Sequence, residues 1–414
     1  MADVSNVVLA AALAWGAAAD VVEGGGERGP WQQNESRYDY VDDPAVALDA
    51  RGRALVAWVD QGSKDVFVNG VNVSRSPRTF SWLPRLAVEG ERVHVLWQEI
   101  IFSGGSHGGD ILFARSEDGG RTFSPALNLS GSVAGDGKAR IDRDTWHNGS
   151  LDLAAGPHGR VYAAWTEYEG ALWLARSSDG GRSFEPRARI GGGDAHPARA
   201  PSLALGPQGT VYLAWTVGED PQADLRLAIS VDGGDSFGEP RIVAPGSGYA
   251  EAPKLASGAE GTLHLVYGES ASGPFGPYHV RYTRSRDGAR SFEPTRRISG
   301  EGAGFPALGL DGAGNPYVVW ELFREHRIRS RGLGYAISHD AGASFTAPLA
   351  LPESSGPANC WNGSHQGYLM DKLAVSREGE VAVVNSCLAP HAQSRVWLVR
   401  GNPSPAQSRF RQER

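Results

Sequence analysis

The stretch PSLALGPQGTVYLAWT (residues 201–216), followed by LRLAISVDGGDSF (residues 225–237), decides the fold of this chain. Large apolar residues occupy alternate positions, first at Leu203 and Leu205 and then at Val211, Leu213 and Trp215. A period of two is typical of half-buried β-strands, and the Gly-containing segments between the runs predict tight turns. The unit is therefore predicted to form four strands.

The same unit recurs along the chain. Its second strands end at Trp58, Trp97, Trp165, Trp215, Tyr267, Trp320 and Asn385. Its first strands start near Pro44, Pro84, Leu151, Pro201, Pro253, Pro306 and Asp371. Repeated four-stranded units predict an all-β propeller of seven four-stranded blades, and six blades is the alternative.

A turn motif, SEDGGRTF in its first copy, closes the third strand of five repeats. The copies start at Ser116, Ser177, Ser230, Ser285 and Ser338. The motif resembles the Asp box (BNR repeat) of the sialidase superfamily, and the resemblance covers almost the whole chain after residue 40. An aspartate in such a turn accepts backbone hydrogen bonds, so these aspartates are predicted to be structural. They are Asp118, Asp179, Asp232, Asp287 and Asp340.

The chain is predicted to hold one propeller domain, residues 41–402, between an N-terminal segment (1–40) and a flexible tail (403–414). Residues 7–19 have the length of a signal-peptide core and end in three alanines, which predicts a secreted or periplasmic protein. The alternative is an N-terminal strand or helix packed on the propeller. Part of residues 1–40 is expected to supply the fourth strand that the last repeat lacks. Cys360 and Cys387 form either a disulfide or two free thiols.

Charge and composition limit the classes of partner that the sequence predicts. The formal net charge is −7 and no basic run occurs, so no nucleic-acid partner is predicted. No apolar run reaches the length of a membrane-spanning helix. We find no Cys/His spacing specific to a metal and expect no cofactor, with a structural Ca²⁺ as the milder alternative. We expect a monomer that binds a glycan or polysaccharide.

Two loops that lead into first strands combine Trp, Asn and His. They hold Trp146, His147 and Asn148 in one case, and Trp361, Asn362 and His365 in the other. Trp offers a flat face to a sugar ring, while Asn and His offer hydrogen bonds to hydroxyls. An equally open interpretation is a pair of Asn-Gly turns with a packed Trp.

One acid also follows the second strand in six repeats. These acids are Asp60, Glu99, Glu167, Glu219, Glu269 and Glu321.

The resemblance to sialidases implies a role for several residues. Tyr368 would be the nucleophile or base, Glu251 or Glu269 its partner, and Asp43 the acid. The residues of the carboxylate clamp would be Arg199, Arg329 and Arg331. Asp42 stands where those enzymes carry their first arginine. The resemblance therefore predicts an exo-sialidase-type glycoside hydrolase acting on acidic glycans.

Two alternatives remain open. A polysaccharide lyase acting on uronic-acid chains would use Tyr and His as acid and base and Arg to neutralise the carboxylate. Its residues would be His147, His365, Tyr368 and Arg199. The other alternative is a non-catalytic propeller that binds a glycan or a protein, since a fold does not by itself imply a function. His147 and His365 with nearby acids would also suit a metal ion, although no spacing supports one.

Overall fold

The structure of the chain is a computed structural model. It describes residues 13–26, 35–76, 79–103, 106–131, 151–167, 170–193, 195–219, 222–243, 248–274, 276–323, 329–357, 360–364, 368–389 and 392–403. Within these ranges strands dominate, and the helical segments include the short 3-10 turns η1 (Pro157–Gly159) and η2 (Pro207–Gly209). No helix in the described part of the chain is long and apolar enough to cross a membrane. The all-β prediction is confirmed.

The strands follow the repeat. The N-terminal strands are β1 (Ala14–Trp15) and β2 (Ala19–Gly24). The next three groups are β3 (Val41–Leu48), β4 (Ala54–Asp60), β5 (Asp65–Val68) and β6 (Val71–Asn72); β7 (Phe80–Glu89), β8 (Arg92–Ser103), β9 (Ser106–Ser116) and β10 (Leu127–Asn128); and β11 (Leu151–Gly156), β12 (Arg160–Thr166), β13 (Ala171–Ser177) and β14 (Ala188–Gly192). Three further groups are β15 (Ala198–Leu205), β16 (Val211–Glu219), β17 (Gln222–Ser230) and β18 (Arg241–Val243); β19 (Tyr249–Ser257), β20 (Leu263–Ser270), β21 (Tyr278–Ser285) and β22 (Arg296–Arg297); and β23 (Ala303–Leu310), β24 (Pro316–Leu322), β25 (Leu333–Ile337) and β26 (Leu349–Ala350). The last strands are β27 (Leu373–Val375), β28 (Val381–Cys387) and β29 (Ser394–Asn402).

Hydrogen bonding sorts the described strands into six sheets. Four sheets have four strands, one has five, and one has eight. The eight-stranded sheet joins two neighbouring repeats through a parallel bridge between Ala223 of β17 and Tyr249 of β19. The propeller therefore has five single blades, and its sixth sheet joins two repeats. This corrects the prediction of seven separate four-stranded blades, and also the alternative of six. The reason is that β19 begins beside the third strand of the preceding repeat and bonds to it, so that boundary is paired as well as packed.

The N-terminal strands complete the last sheet. β2 and β1 both pair antiparallel with β29. Trp15 packs edge-on against Tyr335 with ring centres 5.3 Å apart, and Asp20 forms an ion pair with Arg395 at 3.1 Å. β28 packs on β3 of the first blade, which closes the ring. Residues 1–12 of the predicted leader and residues 404–414 of the predicted tail lie outside the described residues.

The core lies between blades and is dominated by the aromatic residue near the end of each second strand. Trp97, Trp165, Trp215, Trp320 and Tyr267 are at most 2% exposed. Period-two alternation explains this burial. Successive side chains of a second strand point to opposite faces of its sheet, and each face packs on a neighbouring blade. Truncating one of these tryptophans to alanine is expected to cost about 3–5 kcal/mol.

The five turns at residues 116–123, 177–184, 230–237, 285–292 and 338–345 share one hydrogen-bond pattern, and we call them the aspartate turns. In the first, the Asp118 carboxylate accepts the amides of Arg121 and Thr122 at 3.0 and 2.9 Å and the hydroxyls of Ser116 and Thr122, both at 2.7 Å. These hydroxyls hold the pKa of Asp118 well below its usual range. Gly120 takes a φ of +85°, which a Cβ would strain. The aspartates at these turns are thus engaged in the turn itself.

Candidate active site

An irregularity recurs at the start of the first strand in five repeats. The pairing with the second strand shifts at an X-Pro step, and residue X takes a φ between 48° and 59°. These X residues are Asp43, Leu83, Ala200, Ala252 and Phe305. Bulges re-aim side chains and are frequent next to active sites. We call the residue before X the strand-start position. It is occupied by Asp42, Trp82, Arg199, Glu251 and Gly304.

First strands begin, second strands end and third strands begin at the same end of the propeller, which we call the strand-start end. The aspartate turns follow third strands and therefore lie at the opposite end, the turn end. Four different side chains and one glycine occupy the strand-start positions. The chemistry consequently differs from blade to blade at this end.

Arg199, Tyr249, Glu251 and Tyr278 form a buried group that we call the Tyr–Glu cluster. Arg199, which is 4% exposed, donates to the Tyr249 hydroxyl, and its guanidinium lies 3.9 Å from the Glu251 carboxylate. The Tyr278 hydroxyl donates to the Pro274 carbonyl at 3.1 Å, and the Tyr278 ring meets that of Tyr249 edge-on, 6.5 Å apart between ring centres. Burial raises the pKa of Glu251 against the opposing charge of Arg199, and burial together with Glu251 raises the pKa of Tyr278 well above its usual value. The cluster therefore places a phenol and a carboxyl group, which both ionise less readily than usual, near one guanidinium.

Aromatic rings continue from this cluster along the strand-start end, and we call them the aromatic wall. Phe305 lies 6.2 Å from Tyr278, 5.9 Å from Phe323 and 5.2 Å from Tyr368, measured between ring centres. Phe323 meets Tyr368 edge-on at 5.4 Å. Phe305 and Phe323 are half-buried, whereas Tyr278 and Tyr368 are buried. The wall links the fifth repeat to the segment that precedes the last one.

Tyr368 has surroundings of its own. Its hydroxyl accepts a hydrogen bond from the backbone amide of Ser330 at 3.2 Å. Burial raises the pKa of Tyr368 to about 12; the negative charge of Glu321 acts in the same direction, and the positive charge of Arg329 acts against it. The phenol is therefore neutral at ordinary pH and would need a base to become a nucleophile.

Asp42 and Asp43 form an adjacent pair of buried carboxyl groups. Asp42 accepts the Ser386 hydroxyl at 2.5 Å and the Ser364 amide at 2.8 Å, while the Ser364 hydroxyl donates to Asp43 at 3.2 Å. Burial, followed by the charge of Asp42, raises the pKa of Asp43 well above its usual value, and Lys372 opposes this only in part. Asp43 therefore keeps its proton to a higher pH than an ordinary carboxyl group, as a general acid must.

Beside this pair, Lys372 and Glu321 form a buried ion pair. Lys372 also donates to Asn385 at 2.8 Å, and Glu321 accepts from the Asn362 amide at 2.6 Å. Because both charges are fully partnered, the ion pair fixes the backbone segments that carry Asp43 and Tyr368 instead of offering a free charge.

Deeper in the channel, the Asp371 carboxylate connects two cations from other repeats. Its oxygens lie 2.5 Å from the Lys254 ammonium and 3.6 Å from the Arg85 guanidinium. Arg85 also donates to the carbonyl of Leu369 at 3.0 Å. Burial would raise the pKa of Asp371, but Lys254 and Arg85 outweigh it and lower that pKa. The second and fifth repeats thereby hold the segment that follows Tyr368.

A disulfide between Cys360 and Cys387 ties a site loop to the end of β28, with Cα atoms 5.3 Å apart. The next residue, Trp361, forms a bridge with Leu388. The same loop carries Asn362 and, two residues on, the Ser364 that bonds both aspartates of the pair. The disulfide thus anchors the loop that completes the acid pocket.

The structure separates several residues that the resemblance grouped. Glu251 lies in the Tyr–Glu cluster with Tyr249 and Tyr278, whereas Glu269 forms an ion pair with Arg281 at 2.7 Å. The Arg331 guanidinium donates outward to the Ser355 carbonyl at 3.2 Å. Arg199 and Arg331 have different partners in these contacts, and the carboxylate clamp of Arg199, Arg329 and Arg331 stays a prediction.

Arg329 lies with its guanidinium 6.0 Å from the ring centre of Trp361, near Tyr368. The acids after second strands are also engaged, since Glu99 accepts from Ser76 at 3.0 Å and Glu167 pairs with Arg187. The remaining predicted binding residues lie outside the described residues. They are Trp146, His147, Asn148 and His365.

Sequence reasoning missed most of the aromatic wall and the Tyr–Glu cluster. Tyr249, Tyr278, Phe305, Phe323 and Lys372 were not predicted. One signal could have found one of them, because Phe305 stands at the X of an X-Pro step at the start of a first strand. The others follow no repeat position that distinguishes them from core residues.

In the part of the chain that the structure describes, neither a metal site nor the cavity at the turn end is a better candidate for the active site. Among the described residues, no group of three or more His, Cys, Asp and Glu side chains could hold a metal ion. An open cavity of 540 Å³ lies at the turn end, and its ion pairs include Arg51–Glu91 and Arg53–Asp49 at 2.8 and 3.0 Å. Since these charges satisfy one another, we place the candidate active site at the strand-start end.

No protein-family model matches the sequence, and no curated protein matches it. Solved structures do match. A Hadza microbial sialidase is 16% identical with a TM-score of 0.50, covering 83% of this chain and 73% of its own. An α-L-arabinofuranosidase from Fusarium graminearum is 15% identical with a TM-score of 0.51, covering 77% and 93%.

An ulvan lyase of a new polysaccharide lyase family is 11% identical with a TM-score of 0.52, covering 92% of this chain and 96% of its own. Identities this low establish a common fold and nothing finer. The chain is a β-propeller of the sialidase-like fold, as its turn motif predicted.

Proposed function

We propose that this protein is a glycoside hydrolase whose active site lies at the strand-start end. The observation that carries the proposal is Asp43, a buried carboxyl group beside Asp42 and the Ser364 hydroxyl, whose pKa is raised by burial and by the charge of Asp42. Hydrolysis of a glycosidic bond needs such an acid to protonate the leaving oxygen. The names of the similar structures, a sialidase, an arabinofuranosidase and an ulvan lyase, support a carbohydrate substrate.

A second group must act on the anomeric carbon or on water. Glu251 with Tyr278 is the pair best suited to this role, because the carboxyl group raises the pKa of the phenol and lies 3.9 Å from the Arg199 guanidinium. The resemblance assigns the same role to Tyr368, for which Glu321 is the acid identified in its surroundings. We assign the role to the Tyr278–Glu251 pair and place Tyr368 in the aromatic wall.

The finer form of the proposal is an exo-acting hydrolase of acidic glycans. Among the described residues, Arg329 supports this form, because its positive charge acts to lower the pKa of Tyr368. We also propose that the protein is exported, since disulfides such as Cys360–Cys387 persist in oxidising compartments.

The test is turnover by the purified full chain of a fluorogenic sialoside, a nitrophenyl α-L-arabinofuranoside and ulvan. We expect hydrolysis of at least one, with a rate reduced about 100-fold or more in Glu251→Gln. The matched control is Glu293→Gln, which neutralises a glutamate paired with Arg284 at 3.0 Å on the turn side of the same repeat. Equal rates in wild type and Glu251→Gln would remove Glu251 from the mechanism. An unsaturated uronide product would identify a lyase instead, and binding without turnover would identify a non-catalytic propeller.

A further inference from the structure

Phe305 has a backbone conformation that aromatic residues avoid. Its φ is +50°, at the X of the X-Pro step that begins β23. Positive φ is uncommon outside glycine and is a genuine outlier for a bulky side chain. Strained residues of this kind persist where the surrounding structure holds them, and they cluster at functional sites and ligand clamps.

The fold does not require a large ring at this position. The same backbone conformation is occupied by Ala200 in the fourth repeat and by Ala252 in the fifth, with φ values of +48° and +53°. Both alanines are buried. A methyl group therefore satisfies the bulge, so the ring of Phe305 needs another explanation.

The ring of Phe305 is held at the surface of the site. It is half-buried, and Tyr278, Phe323 and Tyr368 surround it at ring-centre distances of 5.2 to 6.2 Å. The strand-start position before it is Gly304, where the preceding two repeats carry Glu251 and Arg199. No side chain at that position covers the ring.

Polar groups lie next to this apolar face. Tyr278, in contact with Phe305, donates to the Pro274 carbonyl at 3.1 Å and packs edge-on against Tyr249, whose hydroxyl accepts from Arg199. The Tyr368 hydroxyl accepts from the Ser330 amide at 3.2 Å. An apolar face bordered by hydrogen-bonding groups matches a sugar ring, which presents C–H bonds on one side and hydroxyls at its edge.

We infer that Phe305 is the stacking platform for one sugar ring of the substrate and determines how that ring is oriented. This inference rests on the proposed function and deepens it. Phe323 supports the platform from the side. The ligand is a saccharide docked flat on Phe305, with its hydroxyls directed toward the Tyr–Glu cluster.

The experiment is affinity electrophoresis of the purified chain in gels containing arabinan, ulvan or a sialylated polysaccharide. Phe305→Ala is expected to weaken retention by the bound polysaccharide about five- to tenfold, and Phe305→Tyr, which keeps the ring, is expected to retain it. The control is Leu83→Ala, which shortens the side chain at the same backbone position in the second repeat, where Leu83 is fully buried. It is expected to unfold at a lower temperature without weakening retention.

Strain is tested in parallel by thermal unfolding. Phe305→Gly should unfold at a higher temperature than Phe305→Ala, because glycine adopts positive φ without cost. Retention of Phe305→Ala equal to that of wild type overturns the inference and leaves the proposed function intact, as does an equal loss in Phe305→Tyr. Failure of wild type both to bind and to hydrolyse any of the three glycans overturns the proposed function itself.

Discussion

The two ends of the propeller are built from the same repeat, yet they differ in how they use it. At the turn end, five aspartate turns make nearly the same hydrogen bonds, from Ser116 to Asp118 in one and from Ser338 to Asp340 in another, both at 2.7 Å. At the strand-start end, equivalent positions carry Asp42, Arg199 and Gly304. The hydrogen bonds at one end are uniform from turn to turn, and the side chains vary at the end where we propose the active site.

Asp43→Asn is expected to have the largest effect and to test this division directly. Because the amide cannot donate a proton to a leaving group, the rate of glycoside hydrolysis should fall about 10²- to 10⁴-fold. The melting temperature should change little, since Asp43 is already inclined to be neutral and an amide has the same shape. Steady-state kinetics and calorimetry measure the two effects. A variant that keeps its rate would break the comparison by removing the acid from the strand-start end.

Loss of the disulfide should disturb the strand-start end alone. In the double variant Cys360→Ser, Cys387→Ser, the loop carrying Asn362 and Ser364 loses its anchor. We expect a stability loss of about 3 kcal/mol from the freed unfolded chain, with weaker glycan retention. Reduced wild type is the control and should behave like the variant. Unchanged retention in both would show that the loop is held by its hydrogen bonds without the covalent tie.

The pH dependence of stability should report on the turn end. Burial lowers the pKa of His94 to about 4, and His94 packs on Phe113 near the aspartate turn that contains Gly181. A depressed folded-state pKa means that the unfolded chain takes up the proton more readily, so stability is fully present above about pH 6.5 and is lost as pH falls toward 4.

His94→Leu should flatten that part of the curve, because leucine does not titrate. Leucine suits the position, since Leu55 occupies the corresponding place in the first repeat. The difference from wild type should approach roughly 3 kcal/mol at pH 4. His264→Leu is the parallel variant, since burial also lowers the pKa of His264 to about 4. Denaturant unfolding between pH 4 and 7 measures the effect, and parallel curves for wild type and variant would contradict it.

The smallest effect belongs to a single aspartate turn. Asp340→Ala removes the acceptor for Ser338, Ser344 and the Ser344 amide, at a cost of about 1 kcal/mol by analogy with helix-cap aspartates. Asp179→Ala should cost the same amount if the turns are equivalent. Both should leave glycan turnover unchanged. Unequal losses in thermal unfolding would show that the turns, although alike in geometry, are unequal in energy.

The same contrast explains what the sequence can predict. The repeat, the strand periodicity and the turn motif identify an all-β propeller, because each depends on local spacing that recurs. The sheet count was missed because the bridge between Ala223 and Tyr249 depends on how two repeats meet. Spacing within a repeat carries no information about it.

The site is harder because its residues meet across blades. Asp43 and Arg199 were predicted as site residues that lie at the start of a first strand. The structure buries both side chains, and their roles stay predictions. Glu251 or Glu269 was predicted as the partner of Tyr368, and this stays a prediction. In the structure Glu251 raises the pKa of Tyr278, which stands at the start of a third strand. Tyr278 has no repeated motif, and only the assembled ring brings it to the carboxyl group.

The pairing of β2 with β29 has a consequence for biosynthesis. Asp20 and Arg395, which meet across these strands, are separated by 375 positions in the chain. At translation rates of about 5–20 residues per second, the N-terminal strand waits roughly 20–75 s for its partner to be made. The ring closes only after β29 has left the ribosome, so earlier blades must persist on the nascent chain with an open seam.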